Sequence, residues 1–172
     1  MARALAAHQR TGVLPEKELA RRGLLPPKER LAAGPVVVVE CIENIPCNPC
    51  AAACPRRAIT IDGALTDTPK IDFYKCNGCT ACIAKCPGLA IFVVNTGYSK
   101  TEATVTLPYE FLPRPEPGQR VTCLDRAGTP VGRGQVVKVL DKKVQNRCAV
   151  VTVAVPKKLW NVVRSIRVKR GR

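Results

Sequence analysis

Aromatic residues make up only 4% of the 172 residues, and histidine, methionine and tryptophan each occur once. A core must therefore rely on aliphatic side chains. No apolar run approaches the roughly 18 residues of a membrane span. The first ten residues have a charge at Arg3 and no sustained apolar stretch, so we expect no secretory signal and a cytoplasmic protein. Neither a Ser/His/Asp set nor a glycine-rich phosphate loop is recognisable, and we expect no catalytic centre.

Cysteine is abundant, with ten residues in a chain of net charge +15. Without an export signal, metal or redox chemistry is a more common use of cysteine than a disulfide framework. Eight of the ten cysteines lie in residues 35–95, where the charges cancel, whereas residues 96–172 carry a net charge of +11. The cysteine chemistry and the basic charge therefore belong to different parts of the chain.

These shifts in composition divide the chain into four predicted parts. Residues 1–34 form an extended basic N-terminal arm, 35–95 a cysteine-rich domain, 96–118 a Pro-rich linker, and 119–172 a basic β-rich docking module. Short Val/Thr-rich runs predict strands at Ala103–Leu107, Arg120–Leu124, Gly134–Leu140, Ala149–Val155 and Ile166–Val168. Proline at a first helical turn predicts short helices at Glu16–Arg22 and Lys157–Arg164.

The clearest cysteine motif is the C-x2-C-x2-C-x3-C-P run formed by Cys76, Cys79, Cys82 and Cys86, followed by Pro87. This spacing holds [4Fe–4S] clusters in two-cluster ferredoxins. A tight loop presents three sulfurs to one face of the cluster, and the fourth sulfur must come from elsewhere. Zinc sites more often take their ligands in two separated pairs.

A second, irregular motif precedes it at an offset of 32 residues, ending in Cys47, Cys50 and Cys54. Each repeat is expected to supply three sulfurs to one cluster and its last cysteine to the other cluster. The sequence therefore predicts two [4Fe–4S] clusters in a pseudo-twofold arrangement. The predicted ligand sets are Cys41, Cys47, Cys50 and Cys86 for one cluster, and Cys76, Cys79, Cys82 and Cys54 for the other.

The irregularity leaves one alternative open. The regular spacing requires a cysteine at Asn44, but the available cysteine is Cys41, three residues earlier. Either Cys41 reaches the cluster across a looped-out segment held by Pro46, or that corner lacks a sulfur and the site holds [3Fe–4S]. Cys123 and Cys148 lie on predicted strands and are expected to be small buried apolar side chains.

Residues 36–95 resemble a bacterial-type dicluster ferredoxin domain. The strings Gly34–Cys50, Cys86–Phe92, Leu107–Pro113 and Val153–Lys157 are also similar to the small ferredoxin-like subunits of FAD-dependent amino-acid and amine dehydrogenases, of the sarcosine-oxidase-like and proline- or hydroxyproline-dehydrogenase-like kinds. The resemblance implies an α+β fold with a pseudo-twofold ferredoxin domain of small antiparallel sheets and short helices. A small β-rich, barrel-like module is expected to follow it.

The resemblance further implies a non-catalytic electron-transfer subunit. Its partners would be FAD-containing dehydrogenase subunits, and it would pass single electrons from a reduced flavin to an external acceptor. A free-standing ferredoxin is one alternative. An iron–sulfur protein that binds nucleic acid is another, but base stacking needs more aromatic side chains than the basic module has, so no nucleic-acid partner is expected.

Overall fold

The structure is a computed structural model that describes residues 7–145 and 147–169. Within these residues the helices are α1 (Ala7–Thr11), α2 (Glu16–Arg21), α3 (Lys28–Ala32) and α4 (Pro49–Ala52), with 3-10 turns at Ile83–Lys85, Lys143–Gln145 and Lys157–Leu159. The strands are β1 (Val36–Val39), β2 (Ile59–Thr60), β3 (Lys70–Ile71), β4 (Ile91–Asn95), β5 (Glu102–Tyr109), β6 (Arg120–Leu124), β7 (Pro130–Leu140), β8 (Ala149–Pro156) and β9 (Ser165–Arg167). The ends of the predicted arm and module, residues 1–6 and 170–172, lie outside the described residues.

Antiparallel pairing joins seven of these strands into one sheet in the order β1-β4-β5-β8-β7-β6-β9, and β2 and β3 form a separate pair. Strand β4 pairs with both β1 and β5, so the sheet continues from the cysteine-rich part into the C-terminal part. A mostly antiparallel sheet with a few short helices is compatible with the predicted α+β class.

The cysteine-rich part repeats its backbone at the offset seen in the sequence. Val39 pairs with Ile91 between β1 and β4, and 32 residues away Ile71 pairs with Ile59 between β3 and β2. The turns after Cys54 and Cys86 also correspond, because Arg57 and Leu89 both have left-handed backbones, with φ of 50° and 51°. The internal repeat of the sequence is therefore a pseudo-twofold repeat of structure.

Strand β1 contributes four fully buried valines and divides the interior into two cores. Val37 and Val39 pack with the cysteines, whereas Val36 and Val38 pack with the C-terminal strands. Opposite faces of one strand serve different layers because successive side chains point to opposite sides. A run of consecutive valines is the pattern expected of a strand covered on both faces.

The N-terminal segment differs from the predicted extended arm. Its described residues form α1, α2 and α3, and α2 matches the helix predicted at Glu16–Arg22 to within one residue. Leu19, Leu24 and Leu31 are buried, with no more than 9% of their surface exposed. Leucines spaced too widely to form a core of their own are therefore buried against the rest of the molecule.

Part of the predicted linker, residues 96–118, is also a strand. β5 spans Glu102–Tyr109 and lies between β4 and β8 in the sheet. Pro108, one of the prolines of the predicted linker, lies inside β5. The pairing of β4 with β5 extends only as far as Thr106. At Pro108, which has no N–H to donate, β5 is therefore paired with β8 on one side and with no strand on the other.

The C-terminal strands form where they were predicted, whereas the prediction of a helix at Lys157–Arg164 is wrong. Only the single 3-10 turn Lys157–Leu159 forms there, and Arg164 then donates its N–H to the carbonyl of Leu124 at 2.9 Å, leading into β9. Strand β9 contacts β5, but the hydrogen-bonded strand order of the described residues is open at both ends. A closed barrel and the division into four parts stay predictions.

Candidate metal centres

Four cysteines from the two sequence motifs line one cavity beside β1 and β4. Cys76, Cys79 and Cys82 come from the second motif, and Cys54 comes from the first. The space free of protein atoms, counting its open mouth, is about 320 Å³. The other lining residues are Val37, Arg56, Ala58, Ile59, Asn77, Gly78, Thr80 and Val93. We refer to this space as the Cys76 cavity.

A second cavity has the complementary composition. Cys41, Cys47 and Cys50 come from the first motif, and Cys86 comes from the second. Its space, measured in the same way, is about 390 Å³. The other lining residues are Val39, Glu43, Ile45, Asp67, Pro69, Pro87 and Ile91. We refer to it as the Cys41 cavity.

The structure thus brings together each set of four cysteines that the sequence predicts, including the exchange of the last cysteine between motifs. The exchange follows from the backbone. After Cys54 and Cys86 the chain turns and enters β2 and β4, and Val37 on β1 lines the Cys76 cavity while Val39 lines the Cys41 cavity. That these cysteines are cluster ligands stays a prediction.

The thiols that shift the pKa of Cys82 and of Cys50 belong to the same two sets. Burial, together with the nearby thiols of Cys76, Cys79 and Cys54, raises the pKa of Cys82 to about 12. Burial also raises the pKa of Cys50, and the nearby thiols of Cys86, Cys41 and Cys47 act in the same direction. Thiols grouped in this way bind metals as thiolates, so metal binding would release their protons.

Backbone N–H groups point at three of the sulfurs. Ala58 donates to Cys54 Sγ at 3.2 Å, and its repeat equivalent Ala90 donates to Cys86 Sγ at 3.4 Å. Gly78 donates to Cys76 Sγ at 3.4 Å. Hydrogen bonds of this kind stabilise the negative charge on cluster sulfurs.

Gly78 is required by the loop that forms the Cys76 cavity. Its φ is +69°, and a Cβ at this position would lie 2.6 Å from the Cβ of Pro35. A residue without a side chain adopts this conformation and permits the close approach.

The structure places Cys41, and not Asn44, on the wall of the Cys41 cavity. The intervening segment is exposed, with 52% of Ile45 accessible, although Glu43 and Ile45 also border the cavity. Asn44 Nδ2 donates to the carbonyl of Thr66 at 3.2 Å. This placement is compatible with the looped-out alternative, in which Cys41 fills the fourth corner, and that alternative stays a prediction.

The cysteines surround spaces and do not converge on a point. Across residues 7–145 and 147–169, no three His, Cys, Asp or Glu side chains are close enough to hold a single metal ion. Four thiolates around a four-iron cube must stand further apart than ligands of one ion. The cysteine-lined spaces and the N–H donors aimed at the sulfurs therefore fit [4Fe–4S] clusters.

A buried arginine beside the Cys76 cavity was not predicted. Arg30 of α3 is 8% exposed, and its guanidinium donates to the carbonyls of Cys76 at 2.6 Å and Phe73 at 2.8 Å. It also donates to the carbonyls of Pro35 at 2.9 Å and Gly34 at 3.2 Å. No local pattern in the arm marks this residue, because its partners are 4 to 46 residues away.

A second unpredicted group joins β1 to the C-terminal strands. Glu40, next to Cys41 in sequence, accepts from Arg126 at 2.7 and 3.0 Å and from Arg164 at 2.6 Å. Burial lowers the pKa of Arg164 to about 10, which leaves it protonated at neutral pH. Arg164 also lies 4.9 Å from the ring centre of Phe92.

The remaining cysteines line neither cavity. Cys123 and Cys148 are 0% and 4% exposed, and burial raises the pKa of Cys123 to about 11. Cys123 belongs to the apolar core, as expected of a cysteine that acts as a small apolar side chain, whereas Cys148 is buried near Glu110 and Arg114. His8, in α1, also lines neither cavity.

No helix in the described part of the chain has the length and apolar character needed to cross a bilayer. Searches of curated proteins and of solved structures found no match. Residues 40–90, which include all eight cavity cysteines, match the family model of the 4Fe–4S dicluster domain. The match supports a ferredoxin-like iron–sulfur family for the cysteine-rich part of this chain.

Proposed function

We propose that the chain is the iron–sulfur subunit of an FAD-dependent amino-acid or amine dehydrogenase. It would hold two [4Fe–4S] clusters and relay single electrons from the reduced flavin of a partner subunit to an external acceptor. The match to a dicluster domain indicates electron transfer in general. The observation that carries the two clusters is the pair of cavities, each lined by three cysteines of one motif and the last cysteine of the other, whereas the flavoprotein partner rests on the resemblance of the sequence to such subunits.

When bound, each cluster would accept and release one electron at a time. The chain would supply the thiolates, keep water away and donate N–H groups to the sulfurs. Val37 and Val93 line the Cys76 cavity, and Val39 and Ile91 line the Cys41 cavity. Apolar walls of this kind lower the local dielectric around the sulfurs.

The C-terminal strands favour a subunit over a free-standing carrier. Residues 96–172 carry a net charge of +11, which suits an acidic partner surface. The loop after β5 exposes Phe111 and Leu112, which are 67% and 75% accessible. Arg114 links this loop to the turn before β8 by donating to the carbonyl of Arg147 at 2.6 Å. Exposed apolar side chains that are held in place and surrounded by basic residues are suited to docking against another protein.

We also propose that the chain has no catalytic role of its own and works in the cytoplasm. None of the ten cysteines is joined to another by a disulfide, which suits a reducing compartment.

The test is anaerobic purification of the native protein from its source under mild conditions. We expect proteins that carry flavin to co-purify with it, and substrate added to the complex should bleach the flavin and then the iron–sulfur absorbance. A protein that runs alone near its own mass in gel filtration, without flavin, would contradict the subunit proposal. Binding to nucleic acid that falls steeply with salt would favour the alternative.

A further inference from the structure

The two cavities carry opposite charge on their walls. Arg56 lines the Cys76 cavity, and no Asp or Glu of the described residues lines it. Glu43 and Asp67 line the Cys41 cavity, and no Lys or Arg of the described residues lines that one. The pseudo-twofold repeat that relates the cysteines therefore does not extend to the surrounding charge.

Arg30 adds to the difference. Its guanidinium is buried and bonded to the carbonyl of Cys76, so its charge acts on the Cys76 cavity with little screening by water. The other buried arginine of the described residues, Arg164, donates to Glu40, Asn161, Trp160 and Val163, so no buried guanidinium is bonded to a cysteine carbonyl at the Cys41 cavity.

Other charges near the Cys41 cavity are paired or exposed. Arg21, Arg22 and Lys70 line a separate open cleft that Cys41 also borders. Both arginines are paired with Glu18, and Lys70 is paired with Asp62. Their side chains are 69%, 33% and 72% exposed, so water and salt screen them.

The group formed by Glu40, Arg126 and Arg164 lies on the other side of β1. Glu40 continues the side of Val36 and Val38, which faces the C-terminal strands, and its carboxylate is bonded there. The cations of this group therefore act on the Cys41 cavity from across a strand, whereas Glu43 and Asp67 act from its wall.

We infer that the charged side chains give the two sites different affinities for an electron, with the higher reduction potential at the Cys76 cavity. Adding an electron adds one negative charge, which Arg30 and Arg56 stabilise and which Glu43 and Asp67 oppose. The buried Arg30 has the largest effect, because Arg56 and Glu43 are exposed and water screens their charges. At equilibrium one electron passes from a 1+ cluster at the Cys41 cavity to a 2+ cluster at the Cys76 cavity. No bond is made or broken and no proton moves. The inference rests on the proposed function, because it requires clusters at both sites.

The test is a redox titration of the full chain, purified anaerobically, reduced with dithionite and monitored by EPR at low ionic strength. We expect two midpoints separated by at least 59 mV, which corresponds to about a tenfold preference for a one-electron couple. Arg30→Met should lower the higher midpoint and leave the lower one in place. Arg30→Lys, which keeps the charge, should shift it less, whereas a purely structural role would make both variants alike.

Two further variants keep the test independent of Arg30→Met, which removes four buried hydrogen bonds. Arg56→Gln should lower the higher midpoint by more than Arg57→Gln, a neighbouring exposed arginine outside the cavity wall. Asp67→Asn should raise the lower midpoint by more than Asp62→Asn, an exposed carboxylate elsewhere in the same loop.

The outcomes separate two kinds of failure. A chain that purifies without two clusters overturns the proposed function together with this inference. A chain with two clusters whose midpoints coincide, or in which Arg56→Gln moves the lower midpoint, overturns the inference alone.

Discussion

Cys41 stands three residues before the position that the regular motif assigns to a cysteine, yet it lines the same cavity as Cys47, Cys50 and Cys86. The exposed segment between Cys41 and Cys47 makes this possible, because it turns Asn44 away toward Thr66. An irregular spacing is therefore compatible with a complete set of four sulfurs.

The role of Cys41 is testable by its removal. We expect Cys41→Ala to convert the cluster of the Cys41 cavity to a three-iron form or to lose it, because three cysteines remain there. Iron analysis should fall from about eight per chain to about seven or about four. Anaerobic samples should show the EPR signal of an oxidised three-iron cluster in the first case.

The matched control is Cys148→Ala, a buried cysteine that lines neither cavity. It should leave the iron content unchanged. An unchanged iron content and EPR spectrum in Cys41→Ala would show that this thiol is not a ligand.

The eight cavity cysteines and their division into two sets could be predicted from the sequence, because ligand spacing and the internal repeat are local patterns. Arg30 could not be predicted, since its four carbonyl partners come together only after α3 packs against the loop before Cys76. The same holds for Glu40, whose partners Arg126 and Arg164 are 86 and 124 residues away.

At the scale of single elements, β7 is the longest strand among the described residues and pairs with both β6 and β8. Gly134 lies at a close approach of β7 to its surroundings. A Cβ at this position would stand 2.6 Å from Val153 Cγ1, 2.8 Å from the carbonyl oxygen of Ala154 and 2.9 Å from Cys123 Sγ.

We expect Gly134→Ala to lower the free energy of unfolding by roughly 1–3 kcal/mol, because the methyl group meets backbone and buried side chains that have no room to move. Gly132→Ala in the same strand is the control, since its nearest neighbour is the end of the flexible Leu159 side chain at 3.2 Å. Denaturant unfolding measures both. Equal losses of unfolding free energy in the two variants would show that the close approach at Gly134 does not affect stability.

Most strands could be predicted because Val and Thr runs favour extended structure wherever they pack. Two predicted elements differ from the structure for physical reasons. The strand predicted at Ala103–Leu107 extends to Tyr109. Pro108 remains in β5 because a neighbouring strand is present on one side only at that point. The helix predicted at Lys157–Arg164 is replaced by a short turn because Arg164 leads the chain into β9.

On the scale of the whole molecule, the cysteine-rich part and the C-terminal strands share one sheet through β4 and β5. No local sequence pattern predicts that the two parts share a sheet, because pairing between distant strands depends on how the layers pack. The ion pairs of Glu40 with Arg126 and Arg164 also connect the cysteine-rich part to the C-terminal strands, next to Cys41.

We expect Glu40→Gln to destabilise the protein by about 3–5 kcal/mol, because two buried guanidiniums would lose their shared carboxylate. The control is Asp141→Asn, which breaks the partly exposed pair with Arg114 at 3.1 Å and should cost less than about 1 kcal/mol. Thermal unfolding of the holo-protein compares the two variants. A loss in Glu40→Gln no larger than that of the control would contradict a structural role for this junction.

The central claim is that each cavity holds one cluster through three cysteines of its own motif and the last cysteine of the other. Two double variants test it most directly by anaerobic iron analysis combined with EPR. Cys54→Ala with Cys79→Ala removes two ligands from the Cys76 cavity and should leave one complete site, with about four irons and no three-iron signal. Cys54→Ala with Cys47→Ala should leave each cavity one ligand short and no complete site. A complete four-iron site in the second variant, and none in the first, would contradict the exchange of cysteines between the two motifs.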